Sequence, residues 1–506
     1  MKKKEMRKMK TASVIIITLL FLSMFFAMAT DQANATTITE IDIIVEEGNI
    51  TDHLWSSDGT KVAYIKCPEG QFWGDLWIAE WDGKEITNKQ LIYTEVDYGG
   101  LEDWQGDWIL FRIRHENELP SAYYGRGELW KIKDDGTELT QITFTYTDGI
   151  RTQWWNHAYD NIGTAGYGRF IPGTDLVYFS AHGGNGWWRP IACNSDGTDQ
   201  WYYLSTSPYQ HSFTIGISPT GNKVLWGDAT YWDNPTRALM SCNPDGSDLA
   251  MIGSFIYRTT PLVLADGGTV VYNFVRTRGI GEPPLAGNIY AMDIDGSNQR
   301  TVLDDEYSNY WESYNPVDGQ FLLMRSDRAD GNMHVFKINV DGTEIVQLTD
   351  GSCNDGGASY SLNAHELLYK RTPLETGPAQ LVIKRLVLLI EIDIKPCSLP
   401  NPINLKSKGN VPVAILTTSD FDASTVDPTS IVFAGASPIK WHLEDVDCDG
   451  DMDLLLHFKT PELELTADST EAVLTGETFD FQLIQGTDSV RIVPYRNRAH
   501  CQNYPV

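Results

Sequence analysis

Five aspartates alternate through nine positions near the C-terminus, Asp445-Val446-Asp447-Cys448-Asp449-Gly450-Asp451-Met452-Asp453. Asp445, Asp447 and Asp449 stand at positions 1, 3 and 5 of a calcium loop. Gly450 supplies the sharp turn at position 6, Asp451 offers its backbone carbonyl at 7, and Asp453 acts at 9, directly or through water. Oxygen ligands this dense suit a hard cation, since five neighbouring carboxylates otherwise repel one another. The loop departs from a helix-flanked calcium hand in two respects. Position 12 is Leu456 rather than a bidentate Glu, and the flanks IKWHLE and LLLHF read as strands. A late ligand is left open among Glu444, Glu462 and Glu464. The expectation is a structural Ca2+; the alternative is a solvated acidic turn.

Two further groups could carry chemistry. His157, His182 and His211 fall within one stretch of the chain, and neutral imidazole is a competent ligand for divalent metals. Scattered structural histidines are the alternative. Trp154, Trp155, Trp187, Trp188 and Trp201 crowd the same region, beside Asn, Asp and Arg residues suited to a sugar's polar edge. Neighbouring residues on a strand point to opposite faces, so at most one of each adjacent pair can meet a ligand. The seven cysteines contain no C-x-x-C, which removes zinc knuckles and thioredoxin-like sites. Cys193 and Cys242 occupy the same place in consecutive repeats and read as core positions. Cys397 and Cys501 lie near opposite ends of the last domain, where a disulfide could join them. No G-x-S-x-G, P-loop or dinucleotide fingerprint is present.

The elements that position these residues come from repeats. An Asp-Gly turn between strand-like runs recurs six times, with glycines at Gly83, Gly136, Gly197, Gly246, Gly296 and Gly342. Asp-Gly between alternating apolar residues signals a hairpin, because Gly tolerates the positive φ of a tight turn. The spacings of 53, 61, 49, 50 and 46 residues each suit one four-stranded blade. A second phrase, a turn followed by an apolar strand, interleaves with the first and occurs seven times: SSDGTKVAYI, QGDWILFRI, IPGTDLVYFS, SPTGNKVLWG, LADGGTVVYNF, NPVDGQFLLM and SLNAHELLYK. The pair of phrases resembles the repeat of TolB-type, WD40-like (PD40) propellers. That resemblance implies an all-β fold, a β-propeller over about residues 36–390, with seven blades or alternatively six. It says little about activity, because propellers host many. Ile38 to Val45 reads as a strand closing the last blade, which would otherwise expose raw edges. The third and fourth blades loosely resemble oligogalacturonate lyases, and that likeness would place His157, His182 or His211 at a divalent metal.

Residues 391–497 read as a small β-sandwich, with strands at 430–434, 439–443, 454–458, 472–474, 479–484 and 489–493 and a tail after them. Its opening, I-D-I-K-P then N-P-I-N-L-K-S-K-G, is similar to a C-terminal module of secreted and surface proteins of archaea and bacteria. Residues 1–29 have the layout of a secretory signal peptide: six basic residues, then the uncharged run Thr11 to Met28, then A-x-A sites. The apolar run is nearly long enough to span a bilayer, so an uncleaved anchor is the alternative. The chain is therefore expected to be secreted or surface-associated, touching membrane only through that segment. A formal net charge of -29 argues against nucleic-acid partners, whose phosphates it repels. The functional expectation is a non-enzymatic binding module whose propeller face meets protein or polysaccharide. The alternatives are a metal-dependent, polysaccharide lyase-like enzyme and a structural envelope component.

Overall fold

The computed structural model describes residues 41–493 except 72, 114–127, 144–163, 183–187, 200, 203–210, 230–236, 256–257, 277–284, 318, 376 and 399. The chain divides into two compact units, 40–386 and a second beginning at Val387. Among the described residues no helix is long and apolar enough to cross a membrane.

The first unit is a β-propeller built from antiparallel meanders. Among the described residues five sheets have four strands, and a sixth has seven. In the seven-stranded sheet the strand Ile86–Gln105 serves twice. Its first part pairs with Trp73–Trp81 as an outer strand, and its last part pairs with Trp108–Ile113 as the inner strand of the next blade. The register breaks between Val96 and Leu101, at Gly99-Gly100. Gly99 has φ +62°, and a Cβ on Gly100 would lie 2.7 Å from the Asp97 carbonyl oxygen. The pair of glycines therefore permits the bend.

First strands of neighbouring blades lie against one another. Asn49–Trp55 touches Ile86–Gln105, which touches Thr164–Phe170, then His211–Ile217, then Arg258–Val263; Asn309–Tyr314 touches Cys353–Tyr360, which returns to Asn49–Trp55. The N-terminal strand Ile41–Glu47 pairs with Gln380–Arg385 and so completes the last sheet, as the alternating pattern predicts. Glu46 on that strand reaches into the first blade, 2.8 Å from Lys66 Nζ and 3.1 Å from Lys89 Nζ. Closure is therefore held by side chains as well as by the strand ladder.

The second strand of each blade is sandwiched between neighbours, which explains the unbroken apolar runs. In Lys61–Cys67, Val62 and Tyr64 face the last blade's Leu368 and Ile383, while Ala63 and Ile65 face the second blade's Ile109 and Phe111. The same alternation continues round the ring to Leu323 and Val335 packing on Leu367 and Tyr369. Each such side chain, fully buried, contributes about 1.5–3 kcal/mol. Cys193 and Cys242 are core residues of this kind, both fully buried.

The Asp-Gly repeat makes the blade-to-blade contact. In five copies the Asp carboxylate accepts from the backbone N–H two residues on, at Thr137, Thr198, Ser247, Ser297 and Thr343. The loop has three residues, with Gly N–H bonding back to a carbonyl three residues earlier and the Gly in the left-handed region, the form of a type I turn with a bulge. At Gly296 (φ +88°) an added Cβ would lie 2.2 Å from Ile252 O, and at Gly342 (φ +90°) 2.3 Å from Val302 O. Conformation and close approach to the preceding blade both demand glycine there.

The second unit holds two four-stranded sheets and a two-stranded pair. Ile392, Ile394, Val413, Ile415, Leu456 and Phe458 of one sheet share a core with Ile390, Phe433, Leu474 and Ile484 of the other. The structure moves one boundary. Val387–Ile390, read from sequence as the end of the last blade, instead pairs in parallel with Leu483–Ser489 of the second unit. The strand expected at 479–484 likewise starts only at Leu483, because Phe479 to Gln482 form the preceding turn, closed by Phe481 N–H on Thr478 O.

Candidate metal loop and inner-strand carboxylates

The acidic loop is the hairpin connection between Lys440–Glu444 and Asp453–Lys459, closed by the pair Glu444/Asp453. Asp453 is fully buried and organises the loop. One of its oxygens accepts from Thr417 N–H and the other from Val446 N–H, each at 2.9 Å. Cys448 (φ +66°) and Gly450 (φ +105°) both adopt left-handed backbone, which curls the loop over Asp453. Carboxylate oxygens of Asp445, Asp447 and Asp453 come within 4.8 Å of one another, close enough to share a metal ion. Asp449 and Asp451 are not in that group. Asp449 accepts from Asp451 N–H at 3.1 Å, and Asp451 Oδ1 is buried with no hydrogen-bond partner. Desolvation and the neighbouring carboxylates push Asp447 and Asp451 above the ordinary carboxylate range. Two of the late-ligand candidates are engaged elsewhere, Glu444 with His442 at 3.1 Å and Glu462 with Lys459 at 2.8 Å. Glu464 lies against Gly435.

The sequence reading missed a second acidic group, on the inner strands of the propeller. Arg112 is buried at the bend of Ile86–Gln105. Its guanidinium meets Asp97 at 3.0 Å before the bend, the Gly99 carbonyl at 2.6 Å within it, and Glu102 at 2.5 Å after it. One cation thus fastens both parts of the shared strand. Glu102 and Asp103 reach the next blade, accepting from Gly168 N–H at 3.0 Å and Phe170 N–H at 2.8 Å. Glu312 does the same from the blade before the closing one, accepting from Gly357 and Ala358 N–H at 2.9 and 2.8 Å. A signal existed: Asp52 and Glu312 both stand six residues before the aspartate of their turn phrase.

Asp52 and His53 lie half-buried on the first inner strand. Desolvation, aided by the charge on Glu102, pushes Asp52 up to about 7, into the range of a neutral-pH acid or base. Desolvation holds His53 down at about 4, and its Nε2 lies 2.7 Å from the Gly357 carbonyl.

The histidine and tryptophan sets are placed only in part. His157, Trp154, Trp155 and Trp187 lie outside the described residues. His182 ends the strand Leu176–His182, where its backbone pairs with Trp188. His211 begins the inner strand of the next sheet, paired with Ala229. Trp201 pairs with Ala192 on an outer strand. Cys501 also lies outside, and Cys397 is an exposed free thiol.

No protein-family model matches the chain. An uncharacterized protein of Agrobacterium fabrum is 27% identical over 150 residues, 28% of this chain and 44% of that protein, so the chain spans less than half the length of that relative. Among solved structures the chain is similar to a puromycin-hydrolyzing peptidase of Mycobacterium tuberculosis, with TM-score 0.49, 10% identity and coverage of 73% of this chain and 57% of that one. It is similar to the Cps50 (Swd1) β-propeller domain of Myceliophteria thermophila, with TM-score 0.44, 12% identity and coverage of 67% and 99%. It is also similar to an oligogalacturonate lyase of Vibrio parahaemolyticus, with TM-score 0.39, 11% identity and coverage of 84% and 98%.

Proposed function

We propose that the chain is an exported binding protein: a seven-bladed propeller presenting one face to protein or polysaccharide, followed by a calcium-bearing β-sandwich. The observation that carries this reading is the use made of charge on the inner strands. Glu102, Asp103, Glu312 and Arg112 are engaged in joining strands and blades. A frame fastened in this way is already ordered before a partner arrives, so less ordering of the described strands is needed on binding. A net charge of -29 favours neutral or basic partner surfaces. In the second unit, Asp445, Asp447 and Asp453 would hold the calcium, with the buried Asp451 oxygen beside them. When bound, the ion would supply positive charge among carboxylates that otherwise repel one another.

One observation favours a second reading. Asp52, held at about 7, is tuned as a general acid on a polysaccharide would be. The two readings separate in one experiment. The full chain is titrated calorimetrically with neutral and charged polysaccharides, while released reducing ends are followed. Binding without products supports the binding protein. Product formation that disappears in Asp52→Asn replaces it with the enzyme.

A further inference from the structure

We propose that His334, Cys353 and Asp355 form a site for a borderline divalent transition metal of the zinc type, between the last two blades. His334 opens the third strand of one blade, His334–Asn339, and Cys353 and Asp355 open the first strand of the next, Cys353–Tyr360. Residues 353 and 355 share one face of that strand, because side chains alternate. All three are buried.

The geometry is that of a coordination shell. One nitrogen, one sulfur and one oxygen, from the three residues, lie within 4.8 Å of one another. His334 Nδ1 is 3.7 Å from Asp355 Oδ2, and Cys353 Sγ is 3.6 Å from the same oxygen. Ligands bonded to tetrahedral zinc at about 2.0–2.3 Å stand about 3.3–3.8 Å apart. The two separations to Asp355 Oδ2 are thus already those of neighbouring zinc ligands.

A second observation points the same way. His334 Nδ1 is buried and has no hydrogen-bond partner, in a residue only 1% exposed. Its other nitrogen, Nε2, faces Asp330 at 3.2 Å. A carboxylate on the far nitrogen holds the proton there and turns the Nδ1 lone pair inward, as outer-sphere carboxylates do for metal-bound histidines. Asp355 is steadied similarly. Arg371 Nε lies 3.3 Å from Oδ1, leaving Oδ2 toward the group.

Equivalent positions in other blades show that packing does not require this arrangement. Glu128 and Asn288 also stand eight residues before their turn glycine. Glu128 accepts from the Thr143 hydroxyl at 2.5 Å, and Asn288 donates to Asp304. Each of these partners closes the same blade. His334 instead faces a thiol and a carboxylate of the following blade.

Thiolate and imidazole with one carboxylate select zinc-like ions over calcium or magnesium, so the site is chemically distinct from the aspartate loop. Binding releases the thiol proton to solvent. Three protein ligands leave a fourth position for water.

The test uses the full chain and Co2+ as a spectroscopic stand-in for zinc. The wild-type chain is expected to take up one Co2+ with a near-ultraviolet thiolate-to-cobalt charge-transfer band, displaced by one Zn2+. Cys353→Ser removes the band. Asp330→Asn keeps the band and weakens affinity about 10–100-fold, a readout that a packing role would not move. Asp445→Asn/Asp447→Asn leaves both band and affinity unchanged. The proposal is overturned if the wild-type chain shows no thiolate band, whatever the variants do. It is equally overturned if the band survives Cys353→Ser or disappears with the aspartate-loop pair, which would place the metal at another thiol such as Cys448.

Discussion

At the bend of Ile86–Gln105 two carboxylates share one guanidinium; in the loop from Asp445 to Asp453 five carboxylates share none. Asp97 and Glu102 are buried, and Arg112 is buried with them. In the loop only Asp453 is buried, and among the described residues no ion pair reaches any of the five aspartates. The first cluster carries its own counter-charge, so it is complete as folded and serves as a fastening. In the second, the Asp453 carboxylate is met by backbone N–H groups and by no cation among the described residues, which leaves the loop's charge uncompensated. Acidity by itself therefore does not mark a metal site here. The two acidic clusters differ in whether they carry their own counter-charge.

The largest effect should come from breaking the first cluster. Arg112→Met leaves Asp97 and Glu102 buried without a cation, and removing one partner of a buried pair costs about 3–5 kcal/mol. Chemical denaturation of the propeller should show that loss. The triple change Arg112→Met/Asp97→Asn/Glu102→Gln should recover most of it, because no buried charge is then left alone. A loss under about 1 kcal/mol for the single variant would mean that the strand bend does not depend on Arg112.

The loop should behave in the opposite way. Calcium at a hundred times its dissociation constant should stabilise the second unit by about 2.7 kcal/mol, and a chelator should reverse this. Asp447→Asn should abolish the response while leaving metal-free stability unchanged or slightly higher, because repulsion is relieved. Asp453→Ala should lower metal-free stability as well, since Thr417 and Val446 N–H lose their acceptor. Thermal unfolding with and without calcium distinguishes these outcomes. Equal stability of all three proteins in calcium and in chelator would sink the loop as an ion site.

What was legible in the sequence follows the same division. The loop's aspartates lie within nine residues, so spacing alone exposed them. The Asp-Gly hairpins and the closing strand Ile41–Glu47 were legible for the same local reason, as turn chemistry and period-2 alternation. The Arg112 cluster was not. Its partners stand ten and fifteen residues away, across the strand bend at Gly99-Gly100. His334 and Cys353 were further out of reach, on two blades that only the ring brings together. The histidines and tryptophans of the third and fourth blades are legible only as a cluster along the chain. Groups clustered along the chain are legible in the sequence; groups that meet across blades are not. The sequence places the boundary after residue 390 because VLLI is as apolar as a blade strand, and only its partner, Leu483–Ser489, assigns Val387–Ile390 to the second unit.

In the wild-type chain the smallest net effect concerns two groups whose titrations oppose each other. Asp52 is raised to about 7 in the fold from about 3.9 unfolded, so between those values the folded chain holds a proton that the unfolded chain has released. Stability from this group falls as pH rises through that window. His53 is lowered to about 4 from about 6.5, so between those values the unfolded chain holds the extra proton, and stability falls as pH falls. From about pH 4 to 6.5 the two slopes cancel, although Glu102, Arg112, Arg169 and Lys370 all act on the pair. Each slope is at most about 1.4 kcal/mol per pH unit. Asp52→Asn should therefore make the propeller lose stability on acidification below pH 6.5. His53→Gln should make it lose stability as pH rises from 4 toward 7. Denaturation midpoints measured across that range check both. Parallel profiles for the two variants would show that the inner strand beside the Arg112 cluster does not hold a proton on Asp52, and the enzymatic reading would lose the support it draws from that residue.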